Sequence, residues 1–200
     1  MVYSIIILGM MGVICGLNIA FNPLYAWYVY VLATIGYVAA VILIDGLVAA
    51  LIRHMPEKHF DYHKKVFTST KRELKFYQRI GVSRWKKWVP ELGMFTHFRK
   101  NKIANPRDPA YLARYILEAC YGVIIHYWSV PTSFLILLLD IPMYTGPSNL
   151  WIFVAAPVAL VNAVLILLPA FILKDNLPKL VWLYEKTRQR EKKTAPSTQE

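Results

Sequence analysis

The chain has 200 residues, 56% of them hydrophobic, with a mean hydropathy of +0.38, and its 23 Lys and Arg against 12 Asp and Glu give a formal net charge of +11. A chain this apolar and this basic is not an ordinary soluble domain, and its two cysteines, Cys15 and Cys120, exclude a disulfide framework. The charge is segregated: no Lys or Arg precedes Arg53, 16 lie from Arg53 to Arg114, and the other 7 lie from Lys174 onward. Under the positive-inside rule this pattern reads as membrane topology rather than nucleic-acid affinity.

Val2 to Phe21 is a charge-free run of 20 residues, a length that crosses about 30 Å of hydrocarbon. It lacks the basic start and the small-residue end of a secretory signal and reads as a retained helix. Asn22 and Pro23 make a turn, and Leu24 to Ile52 is a second apolar run opening on an interfacial cluster of Tyr25, Trp27, Tyr28 and Tyr30. Asp45 lies inside it, either paired near the headgroups or lining a polar cavity with Glu118. Residues 1–52 are therefore expected to form a transmembrane hairpin.

Residues 53–109 change character. Pro56, Pro90, Pro106 and Pro109 break a basic, aromatic stretch too polar to cross a bilayer. Phe60 to Ile80 is expected to be helical, with Phe60, Lys64, Phe67, Lys71, Leu74 and Tyr77 on one side. Arg84, Trp85, Lys86, Lys87 and Trp88 repeat the aromatic and cationic mixture, which suits a cytoplasmic layer on anionic headgroups.

Residues 110–174 read as a second transmembrane pair. The third apolar run continues from Tyr111 to Leu139, with Pro131 expected to kink it near Tyr127. Asp140 to Asn149 has no Lys or Arg and is the expected external loop, and Leu150 to Leu173 returns. Residues 175–200 are the expected cytoplasmic tail: an interfacial helix with Leu180, Trp182 and Tyr184, then disordered charged residues after Glu191. The fold class expected is an all-α integral membrane protein of four transmembrane helices with a basic cytoplasmic interfacial layer, both termini cytoplasmic, in the cell membrane.

Fingerprints of serine hydrolases, phosphate-loop NTPases and HExxH metalloproteases are missing. Two ionisable residues in the third apolar run, Glu118 and His126, are costly there and are candidates for chemistry by default. Eight residues of helix separate them by about 80° of rotation and about 12 Å of rise, so only a substrate, a water or a third group could bridge them. A neutral imidazole at His126 is suited to general-base work, with a carboxylate such as Glu118 to orient it. Cys120 is either a packing residue or an acyl-carrying nucleophile. His54, His59 and His63 have a spacing that a metal could use, but lack evident acidic partners and read as interfacial; no metal site is expected.

In their order and spacing, Pro56, Glu57, Lys58 and Phe60, then Phe67 and Glu73, Trp85 and Lys86, Pro90 and Glu91, Asp108, Pro109, Tyr111 and Leu112, Ile116 to Glu118, Ile125 and His126, and finally Asn176, Pro178, Lys179 and Leu180 resemble the glycosyl-4,4'-diaponeurosporenoate acyltransferases of staphyloxanthin-type carotenoid synthesis. The resemblance covers about Met55 to Lys193. It departs at Tyr121 and Val123, where the family pattern has a basic residue and a second Glu. It implies transfer of a fatty acyl chain to a hydroxyl of a glycosylated polyisoprenoid or carotenoid-like lipid, with His126 and Glu118 catalytic and Glu73, Trp85 and Lys86 binding substrate. It also implies a lipid bilayer, an acyl donor (thioester or phospholipid) and a lipid-linked acceptor as partners, with no cofactor and no nucleic acid. A non-catalytic lipid-handling or partner subunit is the alternative of a different class, and a His-rich membrane metalloenzyme is a third.

Overall fold

The computed structural model describes residues 2–22, 24–89, 103–139 and 149–194, and among them every regular element is helical. The elements are α1 (Val2–Phe21), α2 (Trp27–Arg53), α3 (Lys71–Arg79), α4 (Val82–Trp85), α5 (Pro109–Thr132) and α6 (Ala156–Thr194). Short 3-10 turns occur at Glu57–Phe60, Lys86–Trp88 and Ser133–Leu138, and a π turn at Trp151–Ala155. Three helical stretches are long and apolar enough to cross a membrane: Trp27–Arg53, Pro109–Leu138 and Ile152–Lys193. Ile5–Phe21, within α1, is a shorter apolar helix. The expected external loop lies almost wholly outside the described residues, as does the end of the tail after Thr194.

The chain divides into two compact units, Met1–His54 with Ile125–Pro169, and Met55–Ile124 with Ala170–Glu200. In the first, buried Val29, Tyr30, Ala33, Tyr37 and Val41 of α2 pack with Ile14, Ile136, Leu150, Val154 and Val158. Its outer positions are leucines and isoleucines, with Leu43 65% and Leu8 65% exposed, as expected of side chains that meet lipid rather than water. Polar contacts fix the packing: Asn18 Nδ2 donates to the Ile14 and Phe153 carbonyls at 2.8 and 2.9 Å, and the Tyr37 hydroxyl to the Leu139 carbonyl at 3.0 Å. α5 passes through Pro131 and converts to 3-10 geometry one residue after Thr132. Proline removes one backbone donor there, while Thr132 and Ser133 hydroxyls donate to the Trp128 and Ser129 carbonyls.

The second unit corrects two expectations. Phe60 to Ile80 is not one helix: after the 3-10 turn ending at Phe60 the chain turns through Asp61–Ser69, and α3 begins only at Lys71. The cause is local capping. Asp61 Oδ1 accepts from the His63 backbone, and Thr70 and Glu73 form a capping box that starts a new helix. Phe60 and Phe67 still meet, at 6.4 Å between ring centroids, and both are buried. The second correction concerns the tail: α6 runs unbroken through Lys174 to Thr194, so no separate interfacial helix begins there and the residues after Glu191 begin as helix. The final turns are rich in Glu, Lys, Arg and Gln, which favour helix.

Within this unit α5 and α6 approach closely at Gly122, where an added Cβ would lie 2.7 Å from Leu173 Cδ1. Next to that contact is Lys174, 2% exposed. Its ammonium donates to the Val66 and Thr68 carbonyls at 3.0 and 2.7 Å and lies 3.5 Å from Glu73 Oε1, while its own carbonyl accepts from Ser69 Oγ. Replacing Lys174 by Met keeps the volume and removes these contacts, leaving two carbonyls without their donor. A loss of about 2–3 kcal/mol is expected, read as a lower melting temperature in detergent, and a wild-type melting temperature would show that the loop is held by other means.

Candidate functional site

The second unit holds a cavity of about 850 Å³. Its walls come from α3 (Tyr77, Gln78) and α6 (Asp175, Asn176, Lys179, Trp182) among others. Tyr77 is buried against Phe171, with centroids 5.5 Å apart, and so is fixed as floor, while Trp182 is 60% exposed and stands at the rim with Lys186 Nζ 4.5 Å from its ring centroid. Asp175, buried, accepts from Lys179 Nζ at 2.7 Å, one helical turn on. Asn176 Oδ1 accepts from Lys86 Nζ at 3.2 Å.

That last contact brings one expected substrate-binding residue, Lys86, to a residue of the cavity wall. Gly81, at φ 68°, adopts the left-handed conformation that lets α4 start directly after α3, and the Trp85 indole N–H then donates to the Ile80 carbonyl at 3.0 Å. Trp85 is thus tied to its own turn, and Lys86 follows it. Glu73 is engaged by the fold: its carboxylate accepts from the Thr70 backbone at 2.6 Å and pairs with Lys174. The Thr70 N–H, chief among the influences on it, holds that carboxyl below the ordinary carboxylate range. Burial moves the Tyr62 phenol the other way, upward, beside Tyr184.

Glu118 and His126 both lie on α5, but Glu118 falls in the second unit and His126 in the first. Glu118 is nearly buried and accepts from Arg114 at 2.9 Å; Arg114 also pairs with Glu57 at 3.2 Å. His126 is half-buried. Cys120 is fully buried, Tyr121 packs on Phe60 with ring centroids 4.2 Å apart, and Val123 is fully buried. His54, His59 and His63 are exposed, with His54 Nδ1 2.7 Å from the Ala50 carbonyl. Among the described residues no three His, Cys, Asp or Glu side chains converge as metal ligands do.

Sequence reasoning passes over Asp175 and Gln78. Asp175 sits in the triplet Lys174, Asp175, Asn176 that ends the last apolar run, and a charge triplet at such a boundary looks like a simple stop. The signal is the i, i+4 pair of Asp175 with Lys179, which marks continued helix.

A family model described as glycosyl-4,4'-diaponeurosporenoate acyltransferase matches residues 58–186. The chain belongs to this family. The match spans more than half of the chain and takes in both walls of the cavity as well as Glu118 and His126. The family name denotes an acyltransferase of carotenoid synthesis, and the apolar helices are those of a membrane protein. Comparison with curated proteins and with solved structures gives no match.

Glu73 generates a pH prediction. Because its carboxyl sits below its usual pKa of 4.5, its contribution to stability is complete above that value and is lost as pH falls through the lower folded-state value. The wild type should lose melting temperature on acidification below about pH 4.5 more steeply than Glu73→Gln does, and parallel curves would remove the carboxylate from the account.

Proposed function

We propose that the protein transfers a fatty acyl chain to a hydroxyl of a glycosylated carotenoid-like lipid in the cell membrane. The family match over residues 58–186 carries this reading. The acceptor oxygen attacks the acyl carbonyl carbon as His126 removes its proton. The resulting oxyanion collapses, expelling the thiol of a thioester donor or the hydroxyl of a lysophospholipid, which takes the proton back from His126. Glu118, with Arg114, supports the ring or a sugar hydroxyl through the substrate. The chain crosses four times with both termini cytoplasmic, its Lys and Arg of 53–109 lying on the cytoplasmic headgroups.

The test is turnover per folded enzyme in nanodiscs. His126→Gln should lower acylated-lipid formation about 10²- to 10⁴-fold with unchanged insertion and melting temperature, and Glu118→Gln should cost less. If His126 is only a packing residue, its replacement will lower stability while turnover per folded enzyme stays normal. Release of a free thiol or of a lysophospholipid identifies the donor. For topology, single cysteines at Ser148 and Ser197 should be labelled from outside and protected, respectively; the reverse pattern would exclude this orientation.

A further inference from the structure

The geometry points to the cavity of the second unit as a sugar-binding subsite that seats the glycosyl headgroup of the acceptor against Asp175, Asn176, Gln78 and Trp182. This rests on the acyl-transfer reading for the identity of the lipid, but not for the chemistry of the cavity. That chemistry is mixed in a particular way. Between them the two walls offer a carboxylate, two carboxamides and an ammonium, and aromatic rings lie at the floor and the rim. Hydroxyl groups both donate and accept, so a polyol satisfies a carboxylate and carboxamides together, while the C–H face of a pyranose ring packs on an aromatic face. The volume of about 850 Å³ is of the size that small-molecule sites have.

The other obvious occupant is a donor's phosphate. Asp175 and Lys179 neutralise each other at 2.7 Å, and the Lys86 ammonium beside the cavity donates to Asn176 at 3.2 Å. A phosphate would meet the Asp175 carboxylate as a like charge. A sugar hydroxyl would instead donate to the carboxylate's second oxygen without displacing Lys179, since each carboxylate oxygen has two lone pairs. Tyr77 and Asp175 are both buried, so the polar and apolar sides of the subsite are set by the fold in advance of any ligand.

The experiment uses the full chain in nanodiscs, with glucosyl-diacylglycerol as the probe, diacylglycerol as the sugar-free control, and tryptophan fluorescence as the readout. A saturable change is expected with the glycolipid and none with diacylglycerol, and Trp182→Phe should silence it. Asp175→Asn should weaken the apparent affinity about tenfold, as loss of a charge-assisted hydrogen bond does, and Gln78→Leu should weaken it without touching an ion pair, so the test stands even if the Asp175 variant misfolds. An equal response to diacylglycerol, wild-type binding by both Asp175→Asn and Gln78→Leu, or a response to phosphopantetheine in place of the glycolipid would each overturn the proposal. Glycolipid binding that depends on Asp175, with no acylated product under any donor, would uphold this subsite and overturn the acyl-transfer reading instead.

Discussion

Lys174 carries an ammonium into the interior of the second unit, and such a group costs several kcal/mol to desolvate unless acceptors surround it. Three acceptors do: the Val66 and Thr68 carbonyls and the Glu73 carboxylate. The consequence reaches beyond the charge. Fixing residues 66–68 against α6 sets where the chain stands when it reaches Thr70, whose capping box with Glu73 launches α3. The direction of α3 then places Tyr77 and Gln78 opposite the next residues of α6, Asp175 and Asn176. One ammonium therefore ties together the two helices whose facing sides form the cavity, and the polar groups of the cavity follow it directly in sequence.

The first unit solves a different problem. Lipid tails are as apolar as leucine, so burying leucine supplies little drive between helices, and close packing and hydrogen bonds must set the register. The contacts are of that kind. Asn162 Nδ2 lies 3.0 Å from Asp45 Oδ2 and 2.9 Å from the fully buried Ser133 Oγ, linking α2, α6 and the 3-10 turn after α5. Interhelical bonds of this sort are worth about 0.6 kcal/mol on average, enough to choose a register and too little to drive assembly alone.

Hydropathy and charge segregation are averages over 20 or so residues, which is why the long helices and the basic stretch are legible in the order of residues alone. What decides the second unit is not an average. The buried Lys174 depends on one side chain meeting backbone groups up to 108 residues away, and sequence spacing carries no trace of such a meeting. The same limit applies to the site. Glu118 and His126 stand out because they are ionisable in an apolar run, whereas Asp175 and Gln78 stand beside other polar residues. Glu73 is conspicuous for its place in the resemblance, and its carboxylate is engaged in capping α3 and pairing with Lys174.

The departure at Tyr121 and Val123 has a physical reading of the same kind. Both positions are buried, with Tyr121 packed on Phe60 at 4.2 Å. Residues two apart on a helix point to different sides, so the two positions act separately: Tyr121 fills its place with a ring against Phe60, and Val123 fills its own with a branched side chain. Neither brings a charge into the interior of the second unit, where an unpaired one would be costly. Glu118 does carry a charge, and it keeps a cation, since Arg114 reaches it from one turn earlier on α5 at 2.9 Å.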